Sequence, residues 1–449
     1  MGLQHSNRRG VVALALVIVS GIGQWTVGAQ EAKSSPTIVI RAGRLFDSVA
    51  GRMVDHPVIV ITGNKIESVS TSTSSTSIPA ATTLIDLGDA TLLPGFIDVH
   101  THLTSNAGGG GYEGLGISVP RSALIGAKNA RLTLMAGFTT VRNVGAEGYA
   151  DVALRDAINE GDVIGPRMQA SGPPLGITGG HCDNNLLPWE FHYSAEGAAD
   201  GVEAVMHKVR ETVKYGADVI KFCASGGVFS KGDNPMLEQY SPAEMEVLVT
   251  ESHRLGRRVA THAHSALAIK DAVRAGVDSV EHGIFLDEEG IQLMKEHKTF
   301  LVPTSYPLFW FEENAPKMNL PPWVKEKAAI IIPAAKKNMG DLFLNRSSPA
   351  MDLGSVSNWI NSLEEVLKKP LVVAVPGHFE LGTKADLERF RDYLRDLYSQ
   401  VEKLKKSGAN LEQTKAQLRM EKYKDFRQYP QYQATFADNA EVIYKELQP

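Results

Sequence analysis

Between residues 95 and 305 short apolar runs alternate with longer stretches in which apolar side chains return every three or four positions. The first pattern marks buried strands and the second amphipathic helices, so their alternation predicts a parallel α/β architecture. Strands are predicted over residues 95–102, 138–145, 167–172, 217–222, 258–264, 278–283 and 300–305. Helices are predicted over 122–135, 201–215, 242–255 and 267–275, the third opened by a Ser-Pro pair suited to a helix start. Residues 37–93 read differently: TIVIRAG, PVIVITGNKIESVS and TTLIDLGDATLLPG are short strands separated by Gly-Asn and Gly-Asp turns, with no helical period. Far downstream, Leu387, Phe390, Leu394, Leu397, Val401 and Leu404 lie three or four residues apart, which predicts one long amphipathic helix over 384–417 packed on its own domain.

Chemistry sits where the predicted strands end. In TLLPGFIDVHTHL, period-two alternation sends His100 and His102 to one face, and two imidazoles there can grip one divalent cation. Lys221 ends ADVIK, His262 and His264 end RVATHAH, and His282 ends DSVEHG. In a barrel of parallel strands these C-terminal ends converge on one mouth, so groups distant in sequence can form a single site. The glycine-rich stretch 108–116 is expected as a loop over that mouth; it lacks the GK[ST] ending of a phosphate cradle.

A chain of 449 residues suits a large barrel with accessory parts, and 43% hydrophobic and 22% charged content is ordinary for a soluble globular protein. The net charge of -5 comes with no basic patch beside aromatic residues, which argues against a nucleic-acid partner. The two cysteines, Cys182 and Cys223, are too few for a disulfide framework, and Cys223 reads as small packing beside the site. At the start, Arg8 and Arg9 precede an apolar run over 11–22 and then small Val27 and Ala29, the pattern of a signal peptide over 1–29. The expectation is an exported protein, periplasmic or secreted, without a membrane segment after cleavage.

The motifs TLLPGFIDVHTHL, GADVIKFCASGG, VATHAHS and AGVDSVEHG, with TGGHCD around His181 and TSYP around Tyr306, make residues 37–337 resemble the amidohydrolase superfamily, in its imidazolonepropionase-like and Xaa-Pro dipeptidase-like branch. The resemblance implies a TIM-like barrel over 95–338 preceded by a small β-sandwich over 30–94. It implies two divalent metal ions, with zinc the default for imidazole and carboxylate-like ligands. His100 and His102 would hold the more buried ion. Lys221 would bridge the two ions as a carbamate, since an ammonium cannot ligate a cation. His262 and His282 would hold the second ion. Spacing alone leaves His262 and His264 equivalent; His262, nearer the end of the apolar run, is taken as the ligand and His264 as facing substrate. His181, Tyr240 and Tyr306 are further candidate substrate contacts. The activity implied is hydrolysis of the C–N bond of a small-molecule amide or dipeptide by metal-activated hydroxide, with Lys221 and His282 central to catalysis, and a homo-oligomer is compatible with it.

The family places a catalytic aspartate on strand eight in a TDxG context, and no TDxG occurs in this chain. From residue 339 onward the text instead resembles the C-terminal part of metallo-β-lactamase-fold hydrolases, with Asp341 matching a bridging aspartate and His378, in VPGH, a last histidine ligand. The HxHxDH half of such a site is absent, so a complete one is excluded. The barrel is therefore expected to be incomplete at strand eight, with the apolar run 370–375 available for that position. Two outcomes stay open: a hydrolase in which Asp341 or Asp352 supplies the carboxylate, or a relic that keeps metal ligands and has lost turnover.

Overall fold

The structure is a computed structural model that describes residues 37–71, 82–106, 111–304, 306–318, 320–338, 356–368, 383–423, 426 and 436–447. Its residues divide into two compact units, one holding 37–45 and 53–92 and the other 46–52 and everything from 93 onward. The smaller unit carries most of seven strands: β1 (Thr37–Arg41), β2 (Arg44–Asp47), β3 (Arg52–Asp55), β4 (Pro57–Thr62), β5 (Lys65–Thr71), β6 (Thr82–Asp86) and β7 (Thr91–Leu92). They form one sheet ordered β5-β4-β1-β6 and another ordered β3-β2-β7. Val39, Val58 and Val60 alternate inward from β1 and β4 to make the buried face of the first sheet.

The larger unit continues with β8 (Phe96–Thr101), α1 (Tyr112–Leu115), α2 (Val119–Met135), β9 (Phe138–Asn143), α3 (Ala150–Glu160), β10 (Arg167–Ala170), α4 (Val202–Lys214), β11 (Val219–Cys223), α5 (Pro242–Arg254), β12 (Arg258–Ala263), α6 (Ala266–Ala275), β13 (Ser279–His282), α7 (Glu288–His297), β14 (Phe300–Val302), α8 (Tyr306–Asn314) and α9 (Pro322–Asn338). All seven predicted strands form, each within a few residues of its expected bounds. They lie parallel in two sheets, β10-β9-β8 and β11-β12-β13-β14. The chain after β10 joins them in part, because Leu175 donates its N–H to Lys221 O and accepts from Cys223 N–H on the free edge of β11. No closed barrel forms among the described residues. The end strands β8 and β14 do not pair, and Ile97 and Phe300 on them are 66% and 73% exposed.

The main core lies between β11–β13 and the helices α4–α6. Ile220, Phe222, Val259 and Val280 point outward from the sheet into Val209, Met245, Leu248, Ile269 and Val273. Burying each such side chain stabilises the unit by roughly 1.5–3 kcal/mol. Helix starts are fixed locally: Glu244 accepts the Ser241 N–H ahead of α5, and Ser265 Oγ accepts the Ala268 N–H in α6.

The tail departs from expectation. In place of one helix over 384–417 there are two, α11 (Lys384–Lys406) and α12 (Leu411–Gln417), after α10 (Val356–Leu367) and before α13 (Phe436–Glu446). Gly408 takes φ 87°, which ends the first helix, and Asn410 caps the second by accepting the Gln413 N–H. The apolar stripe itself is buried as expected: Leu387, Phe390, Leu394, Leu397 and Val401 pack with Trp359, Tyr393, Tyr423 and Ile443. The described tail is helical and lends no support to the metallo-β-lactamase resemblance. Asp341, Asp352, His378 and the run 370–375 lie outside the described residues, as does the segment 1–29.

Candidate active site

The strand ends bring together what the spacing predicted. His100 leaves β8 and His102 follows it, with ring centroids 5.3 Å apart. His282, at the end of β13, stands 4.9 Å from His100, 4.7 Å from His262 and 5.1 Å from His264, and the last two rings are 4.5 Å apart. All five, with Lys221 and His181, line one cavity of about 1810 Å³, larger than a usual small-ligand pocket. Tyr306 sits on the same wall, 73% exposed. Tyr240 does not reach the cavity: it is buried in the outer core against Phe222, and its hydroxyl donates to Ala199 O. Its expected role as a substrate contact is thereby corrected, because the loop before α5 turns the ring toward the helices.

Burial controls the charge of the cluster. Desolvation, with nearby Lys221 adding to it, lowers His102 to about 4 and holds His100 well below the ordinary histidine value. His262 and His282 are likewise depressed, first by burial and then by neighbouring imidazoles, and His264 falls to about 3. The imidazoles are thus neutral near pH 7, each with one ring nitrogen carrying a lone pair. Burial also brings Lys221 down to about 8, with Glu281 opposing the shift.

Neighbouring groups set which nitrogen is free. Glu281, fully buried, accepts from His100 Nδ1, from Arg142 Nη2 and from Ser279 Oγ, each at 2.6 Å. Since His100 is neutral, its contact with Glu281 is a hydrogen bond from an N–H and not an ion pair, and Nε2 is left open. His102 Nδ1 lies 3.3 Å from Gly145 O and His262 Nε2 lies 3.1 Å from Gly226 O, so each donates there and keeps the opposite nitrogen open. His282 pairs through Nδ1 with Thr304 Oγ1 at 2.6 Å. Both His282 (φ 71°) and Thr304 (φ 48°) hold left-handed backbone, a strain typical of sites where geometry is over-determined.

Several participants were hidden from sequence reasoning. Glu281 precedes His282, and strict alternation would send them to opposite faces; the left-handed turn at His282 lets both face inward. Arg142, Ser279 and Thr304 carried no distinguishing spacing. The reading of Cys223 as packing is also corrected: it is disulfide-bonded to Cys182, Cα to Cα 5.9 Å, and ties the loop bearing His181 to the strand bearing Lys221.

The donor set suits a metal in kind. It offers neutral imidazoles already oriented through their second nitrogen, and the buried His264 Nδ1 has no hydrogen-bond partner among the described residues. No group of three or more His, Cys, Asp or Glu side chains among the described residues is arranged to hold an ion as it stands, so any cage needs Lys221 as an added donor or a small tightening of the rings.

An amidohydrolase family model matches residues 91–330. Ochratoxinase from Aspergillus niger is 36% identical over 233 residues, 47% of each chain, so this chain spans about half the length of the curated relatives it matches. Among solved structures, a Xaa-Pro dipeptidase with bound methionine superposes at a TM-score of 0.62 and 30% identity, covering 80% of this chain and 84% of that one. The A. niger ochratoxinase structure gives 0.59 at 30% identity, over 67% and 72%, and a putative prolidase from Bifidobacterium longum 0.54 at 27%, over 68% and 70%. Since the family model covers more than half of the 449 residues, this chain belongs to the amidohydrolase family.

Proposed function

We propose that this protein is an exported hydrolase of amide C–N bonds, acting on N-acyl amino acids or dipeptides with two divalent cations, zinc by default. The observation that carries the reading is the meeting of six basic groups from four strand ends, His100, His102, Lys221, His262, His264 and His282, in one cavity, with Lys221, His262 and His264 buried. The names of the relatives, an ochratoxinase and a Xaa-Pro dipeptidase, agree with an amide substrate. A disulfide beside the site agrees with an oxidising compartment.

In this mechanism His100, His102, His262 and His282 would hold the cations, and His264 would face the substrate. When bound, the cations lower the pKa of a water and polarise the scissile carbonyl. Lys221, desolvated to about 8, reaches its neutral amine at mild alkalinity. That amine adds CO₂ to give a carbamate and releases one proton, which turns a repelling ammonium into an oxygen donor. Glu281 and Arg142 keep the His100 ring from turning. The apolar wall of Phe229, Trp310, Phe311 and Trp323 receives the body of the substrate and excludes water from the cluster.

A second reading, a protein that holds metal without turnover, is favoured by one observation: among the described residues no strand follows β14 to bring an aspartate to the cluster. Elemental analysis and a panel of N-acyl amino acids and Xaa-Pro dipeptides separate the two. Two metals per chain with hydrolysis support the first, two metals without hydrolysis the second, and a metal-free protein that refuses zinc defeats both.

A further inference from the structure

The strand-end cluster leaves unused one polar network that lies behind the cavity wall and reaches it at His181. Asp233 Oδ1 accepts from Ser230 Oγ at 2.6 Å and from Lys327 Nζ at 2.5 Å, and its Oδ2 accepts the Gly227 N–H at 2.8 Å. Lys327, reaching in from α9 and only 8% exposed, also donates to Gly227 O and Ser230 O, so all three of its protons are used. A buried charge pair satisfied this fully is fixed in place.

The network ends on His181. The single Ser230 proton points to Asp233, with Gly227 O at 3.4 Å its other acceptor, so the hydroxyl oxygen can only accept from His181 Nδ1 at 2.7 Å. The imidazole proton therefore sits on Nδ1 and Nε2 is a bare acceptor. The ring has no freedom to turn over. It packs 4.2 Å from His262, and it covers Gly227 so closely that a Cβ there would fall 2.2 Å from the ring. Its backbone N–H is held by Gln239 Oε1 at 3.0 Å, and the next residue, Cys182, is bonded to Cys223.

We propose that Asp233, clamped by Lys327, is a positioning residue that works through Ser230 to present His181 to the cavity as a hydrogen-bond acceptor, so that the site favours a scissile amide bearing an N–H over a fully substituted amide nitrogen. The selectivity rests on the amide-hydrolase reading; the ring's orientation does not. A substrate N–H satisfies the acceptor, whereas an N-alkyl amide or an Xaa-Pro bond leaves it buried and unpaired.

Two measurements on the full-length, zinc-loaded protein test this. Histidine-selective ¹⁵N spectra, with the His181 signal assigned by His181→Gln, read the tautomer without any substrate. The expected result is a proton on Nδ1 in the wild type and a shift toward Nε2–H in Ser230→Ala; Nε2–H in the wild type overturns the positioning role. The second measurement is kcat/KM for N-benzoyl-leucine against its N-methyl counterpart. The wild type should prefer the first by about tenfold, the worth of one hydrogen bond. The preference should shrink toward unity in Ser230→Ala and in Asp233→Leu/Lys327→Met, the second variant removing the acceptor of the Ser230 proton and both charges so that neither is stranded. An unchanged ratio in folded variants overturns the selectivity. No turnover of either amide, with the tautomer as expected, overturns the hydrolase reading and the selectivity built on it while the positioning role stands.

Discussion

Replacing Glu281 by glutamine tests whether the buried carboxylate organises the cluster. Glutamine keeps the shape of the side chain and one acceptor oxygen, enough for Arg142 Nη2 and Ser279 Oγ, each now 2.6 Å from Oε1. Its amide group then faces His100 Nδ1, where a donor meets a donor at the position of the present 2.6 Å bond. Arg142 loses its counter-charge while its side chain remains 13% exposed and held by Val99 O and Ser279 Oγ. Removing one member of a buried pair and leaving the other charged costs about 3–5 kcal/mol. Denaturant unfolding of chelated protein, followed by circular dichroism, should show a loss of that size in Glu281→Gln. In Arg142→Met/Glu281→Leu much of the loss should return, because neither charge is then stranded. A single variant within about 1 kcal/mol of wild type, below the cost of even one unsatisfied buried group, would refute the reasoning.

Three further outcomes follow from the same geometry. His181 at about 4 and His264 at about 3 lie below the ordinary 6.5, so on acidification the unfolded chain takes up protons first. The stability they contribute is full above 6.5 and is lost as the pH falls toward 4, by about 1.4 kcal/mol per pH unit for each imidazole; chelated protein whose denaturation midpoint stays flat across that range contradicts the assignment. Native mass spectrometry in bicarbonate buffer above pH 8 should show one added CO₂ per chain that Lys221→Met lacks, and no adduct argues against a carbamate. Cys182→Ser/Cys223→Ser removes a cross-link closing a 41-residue separation, worth about 4 kcal/mol on chain entropy, and reduced wild type should match it; equal stability of all three forms would mean the link carries no load.

The sequence disclosed the parts of this site that local patterns encode. Buried parallel strands are near-continuous apolar runs, so their C-terminal residues could be named before their neighbours were known, and the five imidazoles and Lys221 were found that way. Tyr240 shows the limit, since a tyrosine in a loop carries no period to say which side it will face, and its ring went to the core. The cysteine pairing was illegible for a related reason: the contact depends on how the loop after β10 lies along β11, a path set by the Leu175 hydrogen bonds. The split of the tail helix was written locally, in Gly408 and the Asn410 cap, but the charge-rich text continues past it to Gln417 and masked the break.

Glu281 is the more instructive omission, because its motif was read and its role was still hidden. A strand ending in Glu-His offers one inward side chain under regular alternation; read from the sequence the histidine claims it, but with Val280 facing outward the position falls to Glu281. The chain places both inside by turning His282 to φ 71°, a conformation of order 1–3 kcal/mol uphill for a residue with a Cβ. That cost is sustainable only where surrounding bonds return more. They do here: His282 is held by Thr304, while Glu281 draws on His100, Arg142 and Ser279. The same left-handed turn thus joins a candidate metal ligand to the carboxylate that orients another, which couples the fold's local strain to the alignment of the cluster. Weakening Glu281 should therefore loosen His282 as well as His100, and the histidine ¹⁵N signals of both, not one, should broaden in Glu281→Gln; a change confined to His100 would separate the two residues and dissolve the coupling.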